Sequence, residues 1–336
     1  MQNRSFAAIP AVAFFSLMAS CALAQSDVSF KGQLIKLHVS ANAGGGYDAV
    51  ARIFIKYYAE HIPGNPRMVV TNMVGAGGIT MTNWVYNIAP KDGTVLGMPH
   101  LTVPMNQVIM PEQVRFDAAR LNWLGNLEES TASLFTYHTS KTRTIEDARK
   151  RETIMGASAK GNILYQMLAL SNRLLDTKFK IVLGYERTRI IAIENGELEG
   201  STSNLENFAG IAPNWLKNNL INVLVINAPQ RHPRFPEVPT MMELTSNEEH
   251  KKILEFMMLQ SATSRAIFAP PGVPDAKVNA LRRAFDKAAE DPEFLAEMAR
   301  GGFEITPSIG ERTQAAVIRL LATAPDVAQR ALAAID

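Results

Sequence analysis

The sequence predicts an α/β protein of two domains, and three observations carry that prediction. Short apolar, β-prone runs alternate with segments of helical periodicity, glycine-rich corners join one kind to the other, and 336 residues is about twice the size of an ordinary domain. Composition agrees: 47% hydrophobic, 7% aromatic and 20% charged residues suit a globular chain with a substantial core. A formal net charge of +2, with no block of like charges, gives no basic groove for a nucleic acid.

Taken in order, the chain opens with 24 residues unlike the rest. Arg4 is their only charge, an apolar run covers 6–19, and Ala22-Leu-Ala24 offers small residues for cleavage before Gln25. This is the pattern of an export signal. The single cysteine, Cys21, follows Met18-Ala-Ser20, close to a bacterial lipobox with Met in place of Leu, so the segment is read two ways. Cleavage after Ala24 removes the cysteine, whereas cleavage before it leaves a lipid anchor. Beyond the signal no run reaches about 18 apolar residues, so no permanent transmembrane helix is expected.

Residues 34–39 form a short apolar strand, and Val50, Ile53, Phe54, Tyr57, Tyr58 and His61 then recur at helical spacing. Between them lies Ser40-Ala-Asn-Ala-Gly-Gly-Gly-Tyr-Asp48. Glycine allows left-handed angles and close approach, and the first turn of the helix presents unpaired N–H groups, so this corner is either an anion site or a ligand-free turn. A second corner, Val74-Gly-Ala-Gly-Gly78, joins a strand at 68–73 to a helix at 79–88. Both would fall at the carboxyl ends of strands of an open parallel sheet, which favours one shared cleft.

After a strand at 94–98 the pattern blurs from 101 to 126, and 134–138 begins a new set of strands and helices. That set holds a strand at 153–155, the corner Gly156-Ala-Ser-Ala-Lys-Gly161, a helix at 162–175, a strand at 180–185, a helix ended by Asn195-Gly196, and strands near 198–202 and 221–226. Pro229, Pro233, Pro236 and Pro239 then break regular structure and are read as the return to the first domain. The remainder is mainly helical around an apolar strand at 266–269. The expected organisation is a signal at 1–24, a first lobe from 25–125, a second from 126–228, and a return with C-terminal helices at 229–336.

Catalytic groupings are sparse. None of the six histidines, at 38, 61, 100, 138, 232 and 250, has a close metal-ligand spacing, and no dinucleotide or P-loop fingerprint is met, so no metal or cofactor is expected. Ser158 and Lys160 form a Ser-x-Lys pair, read either as nucleophile and base or as a capping serine beside a surface lysine. Three functions therefore stand: a binder, a hydrolase using Ser158, and an exported scaffold with an empty cleft.

Several segments carry a family resemblance. Gly44-Gly-Gly-Tyr-Asp-Ala-Val-Ala-Arg52, Val74-Gly-Ala-Gly-Gly78 and Ala89-Pro-Lys-Asp-Gly-Thr94 resemble the hallmark segments of tripartite tricarboxylate transporter substrate-binding proteins, the Bug family. Gly184-Tyr185 with Glu194-Asn-Gly-Glu-Leu198, Arg234-Phe-Pro-Glu-Val-Pro-Thr240, and Ala269-Pro-Pro-Gly-Val-Pro274 with Asp291-Pro-Glu-Phe294 follow in the family's order. The resemblance implies a class II periplasmic-binding-protein fold: two α/β lobes closing on a small organic carboxylate, in a periplasmic monomer that delivers it to integral-membrane transporter subunits and is not an enzyme. It places Asn42, Gly44, Gly45, Gly46, Tyr47 and Asp48 with Gly75, Ala76, Gly77 and Gly78 on the first lobe's side of the cleft. Ala157, Ser158, Lys160, Gly184 and Tyr185 face them from the second lobe, with Asn204 a further candidate.

Main-chain donors are expected to dominate the grip on the ligand. Asp48 is either an acceptor for a ligand group or a partner of the helix dipole, and Tyr185 either a cleft wall or a packed aromatic. Arg52, Lys160, Arg187 and Arg189 are the cations available to offset ligand charge, Lys160 the best placed. The chain also departs from the family: Tyr47 stands where Ser or Thr is usual, helical residues 248–262 replace a strand-rich return, and Leu321-Ala-Thr-Ala-Pro-Asp-Val327 resembles a less characterised branch. Citrate is therefore not assumed to be the ligand.

Overall fold

The computed structural model describes residues 28–129, 131–157, 163–185, 188–205, 208 and 212–335. Its strands in chain order are β1 Leu34–Val39, β2 Arg67–Asn72, β3 Val95–Met98, β4 Asn122–Asn126, β5 Ala132–Tyr137, β6 Thr153–Gly156, β7 Phe179–Val182, β8 Gly200–Asn204, β9 Ile221–Asn227, β10 Ala266–Ala269 and β11 Ser308–Ile309. They make two sheets, ordered β11-β4-β10-β3-β1-β2 and β7-β6-β8-β5-β9. Both sheets are mixed, whereas a parallel sheet was expected for the first lobe. β1 runs parallel to β2 and β3, whereas β10 is antiparallel to β3 and β4; β6 runs parallel to β7 and β8, whereas β5 is antiparallel to β8 and β9. In the second sheet the reversed strand, β5, enters from the other lobe, as β10 does in the first, where the short edge strand β11 is also reversed against β4.

The helical stripe read from the sequence is buried in the first lobe. Helix Gly46–His61 buries Val50, Ala51, Phe54 and Tyr58, and the Phe54 ring lies 5.1 Å from Phe285 and 5.3 Å from Phe294, on helices Asp275–Ala289 and Pro292–Arg300. Burying such rings contributes about 1.5–3 kcal/mol each. On the opposite face, Trp123 and Phe268 pack with residues of helices Ile79–Asn87 and Gly310–Leu321.

The second lobe has its own two cores. Leu134, Met155 and Val225 meet helices Ile163–Leu175, Glu248–Leu259 and Pro325–Ile335 on one face, and Phe135, Phe208, Trp215 and Ile226 cluster on the other. The proline-rich segment stays with this lobe. Val238 and Met241 join its cores, and Ile226 bridges to Thr240, so the chain returns to the first lobe at 260–265, just before β10, instead of at 229. A third crossing, not foreseen, carries helix Pro325–Ile335 back onto the second lobe. Prolines break regular structure whether or not the chain changes lobe, which explains the displaced boundary.

Candidate functional site

The first glycine corner starts its helix at Gly46, with Gly45 as an N-cap that supplies no side-chain bond. Asp48 organises the turn from within. Its carboxylate accepts from the Gly44 N–H at 2.8 Å, from Arg52 Nε at 2.9 Å and from Asn72 Nδ2 at 2.9 Å, and it is 2% exposed. The Arg52 fork, helped by those two amide donors against the cost of burial, holds the acid down to about 2. Asp48 is thus occupied by the protein, and Arg52, also bonded to Asn72 Oδ1 at 3.2 Å, is turned to the same task. Asn42 accepts the Gly45 N–H through its carbonyl at 3.1 Å.

Tyr47 points the other way. Its hydroxyl accepts the Leu101 N–H at 3.2 Å, its ring stacks on His100 at 5.5 Å, and the Arg265 guanidinium lies 5.8 Å from the ring centre. Burial pushes His100 down to about 4, so this imidazole is neutral at physiological pH. Arg265, 4% exposed, also lies 5.2 Å from the Phe303 ring and pairs with the buried carboxylate of Glu128. Burial lowers Arg265 to about 10, which leaves it charged.

Arg265 and Gly46 open onto a cavity of about 290 Å³ between the lobes. Gly302 and Phe303 complete the first lobe's wall; Ser203 and Asn204 at the end of β8, Ile163 and Leu164 at the start of helix Ile163–Leu175, and Arg189 form the wall opposite. A guanidinium comes from each lobe, and the start of a 16-residue helix meets them at Gly46. Such an arrangement can hold an anion by charge-assisted hydrogen bonds. A Cβ on Gly46 would stand 3.7 Å from Arg265 Nη2, an ordinary contact, so the helix start and this guanidinium lie side by side on the cavity wall.

Of the residues expected at the cleft, Gly46 and Asn204 line this cavity, and Tyr47 backs it through Arg265. Gly44 and Gly45 belong to the turn above it. The second corner does something else. Gly75, Ala76, Gly77 and Gly78 are absent from the cavity wall, and Gly78 is buried at φ +98°, where a Cβ would meet Val103 Cγ2 at 2.8 Å and the His100 nitrogen at 3.2 Å. Its glycine is required by packing inside the first lobe. Across the cleft, Ala157 is a core residue, Gly184 carries φ +95° at an exposed turn, and Tyr185 donates its N–H to Ala157 O at 3.0 Å and its hydroxyl to Glu197 at 3.4 Å. Tyr185 packs with the second lobe. Ser158, Lys160, Arg187 and the signal with Cys21 lie outside the described residues.

Sequence reasoning missed Arg265, Glu128, Ser203 and the 301–303 turn. One signal was available for Arg265: a charge set directly against the wholly apolar Ala266–Ala269 strand, where an unpaired cation would be costly. Among the described residues no group of acidic, histidine or cysteine side chains could hold a metal ion, and no helix is long and apolar enough to cross a membrane.

No family model matches the chain. A curated relative, a UPF0065 protein of the tcbD–tcbE intergenic region of Pseudomonas sp. (strain P51), is 23% identical over 296 residues, 86% of this chain and 83% of that one. A solved TctC solute-binding protein from Polaromonas superposes with a TM-score of 0.69 at 19% identity, covering 90% of this chain and all of that one. The fold is that of a TctC solute-binding protein. The fold that the motif resemblance implies is thereby borne out, and MatC from Rhodopseudomonas palustris, solved with bound malate, superposes with a TM-score of 0.62 at 19% identity, covering 90% of this chain and 99% of that one.

Proposed function

We propose that the chain is an extracytoplasmic receptor that holds a small organic carboxylate between its lobes and delivers it to integral-membrane transporter subunits. The observation that carries the binding half is the interlobe cavity, where Arg265 and Arg189 approach from opposite lobes beside a helix N-terminus. Its volume, about 290 Å³, sits at the foot of the usual range for small-ligand pockets, which suits an acid of few carbons better than a nucleotide or a peptide. Guanidinium donors on opposite walls suit a molecule with a carboxylate at each end. MatC, solved with malate, shares the fold and supports this class of ligand.

Delivery to a membrane partner rests on the motif resemblance, and export rests on the pattern of residues 1–24, with Cys21 as the anchor if cleavage precedes it. No catalytic step is assigned: no histidine lines the described part of the cavity. A thermal-shift screen of mono-, di- and tricarboxylates tests the binding reading. A ligand at 100 times its Kd adds about 2.7 kcal/mol of stability, so a dicarboxylate should raise Tm by several degrees. A flat response across all three classes would contradict it.

A further inference from the structure

A second and larger cavity, about 670 Å³, shares no lining residue with the interlobe cleft. The two lie on either side of the first crossing, where Glu128 turns to Arg265 in the cleft and its neighbour Glu129 pairs with Arg312 at 3.0 Å in the second cavity. Both lobes wall it, through the end of β9 and helix Glu248–Leu259 on one side and helix Gly310–Leu321 on the other. We propose that it is a binding site for a small amphipathic zwitterion, an α-amino acid with an apolar side chain being the simplest case.

The chemistry of the walls carries this. Met242, Met258, Leu259 and Ala316 give an apolar surface, and methionines adapt to irregular shapes. The charges around it balance. Glu129 occupies Arg312, while Glu255 and Arg319 face the cavity with no ion pair among the described residues. One carboxylate and one guanidinium beside an apolar surface complement an ammonium and a carboxylate on a single molecule; a simple acid would leave Glu255 unanswered, and a simple amine Arg319. Asn227 lines the same wall at 8% exposure, and its Oδ1 meets no hydrogen-bond donor among the described residues, so it is an acceptor suited to an ammonium N–H.

Calorimetric titration of the intact protein with L-phenylalanine, L-leucine and L-methionine tests the site. One-to-one binding of at least one is expected, weakened at least fivefold by Arg319→Ala and by Glu255→Ala and unchanged by Arg189→Gln in the cleft. Arg319 and Glu255 are exposed, so neither variant threatens folding, and melting curves verify that. 3-Phenylpropionate, which lacks the ammonium, should bind at least tenfold more weakly than L-phenylalanine. The proposal is overturned if none of the three amino acids binds, if 3-phenylpropionate binds as tightly as phenylalanine, or if binding survives Arg319→Ala and fails in Arg189→Gln.

Discussion

Asp48 accepts three hydrogen bonds at once, and that saturation decides its role. From sequence its position in the first helical turn left open a ligand contact beside the commoner role of dipole partner. The second strand settles it, since Asn72 reaches across to complete the set. Asp48→Ala should therefore cost about 2–3 kcal/mol of stability, less than a fully buried pair because Arg52 is half exposed and regains water. With its acid held near 2 and an unfolded value near 3.8, the stabilisation is present above about pH 4 and is lost as pH falls through 2. Urea titrations of the two proteins at pH 7 check the cost, and equal midpoints would refute it. His100 works in the same direction at higher pH. Burial favours its neutral form, so the unfolded chain binds a proton that the folded one does not, and stability is complete above about pH 6.5 and declines towards pH 4. Wild type should be about 2 kcal/mol less stable at pH 5 than at pH 7 from this group alone, His38 adding in the same direction. His100→Gln should remove the larger part of that difference, and an unaltered pH dependence would contradict the assignment.

The elements show which signals are local. Helix Gly46–His61 was legible because its apolar stripe and its glycine entry lie within one stretch of chain, and the same holds for the strands at 34–39 and 266–269. Two glycine corners of the same appearance nevertheless differ in use. Gly46 faces the cavity, whereas Gly78 is pressed against Val103 and the His100 backbone, contacts made by residues some distance along the chain that no local pattern announces. Gly78→Val therefore damages folding before it damages binding. The left-handed angle and the overlap with Val103 should together cost about 3 kcal/mol. The melting temperature should drop while the affinity of the folded fraction for its carboxylate stays within a few fold. A normal melting curve with abolished binding would return the second corner to the cleft.

At the scale of the whole molecule, the two-lobe α/β architecture was readable from alternation and length, while the crossings were not. Prolines at 229–239 break structure within the second lobe, and the return at 260–265 is helical on its upstream side, so composition marks the wrong boundary. Arg265 was lost for the same reason: it stands at that return and becomes a cleft residue only when the first sheet brings β10 beside β3 and β4. On the proposed reading, side-chain cations join the main-chain grip expected from the glycines, which is kept at Gly46. Arg265 is anchored to Glu128 within the first lobe, and Arg189 lies on the second lobe's wall, so the proposed ligand, with a carboxylate at each end, would link the lobes.

Calorimetric titration with malate and with longer dicarboxylates, on the wild type and on Arg189→Gln, tests that claim most directly. Charge-assisted hydrogen bonds contribute about 1.5–3 kcal/mol each, so loss of Arg189 should weaken the best dicarboxylate by at least about tenfold. The account predicts one-to-one binding near micromolar Kd in the wild type and that loss in the variant. Dicarboxylate affinity equal in the two proteins, with both correctly folded, would contradict it.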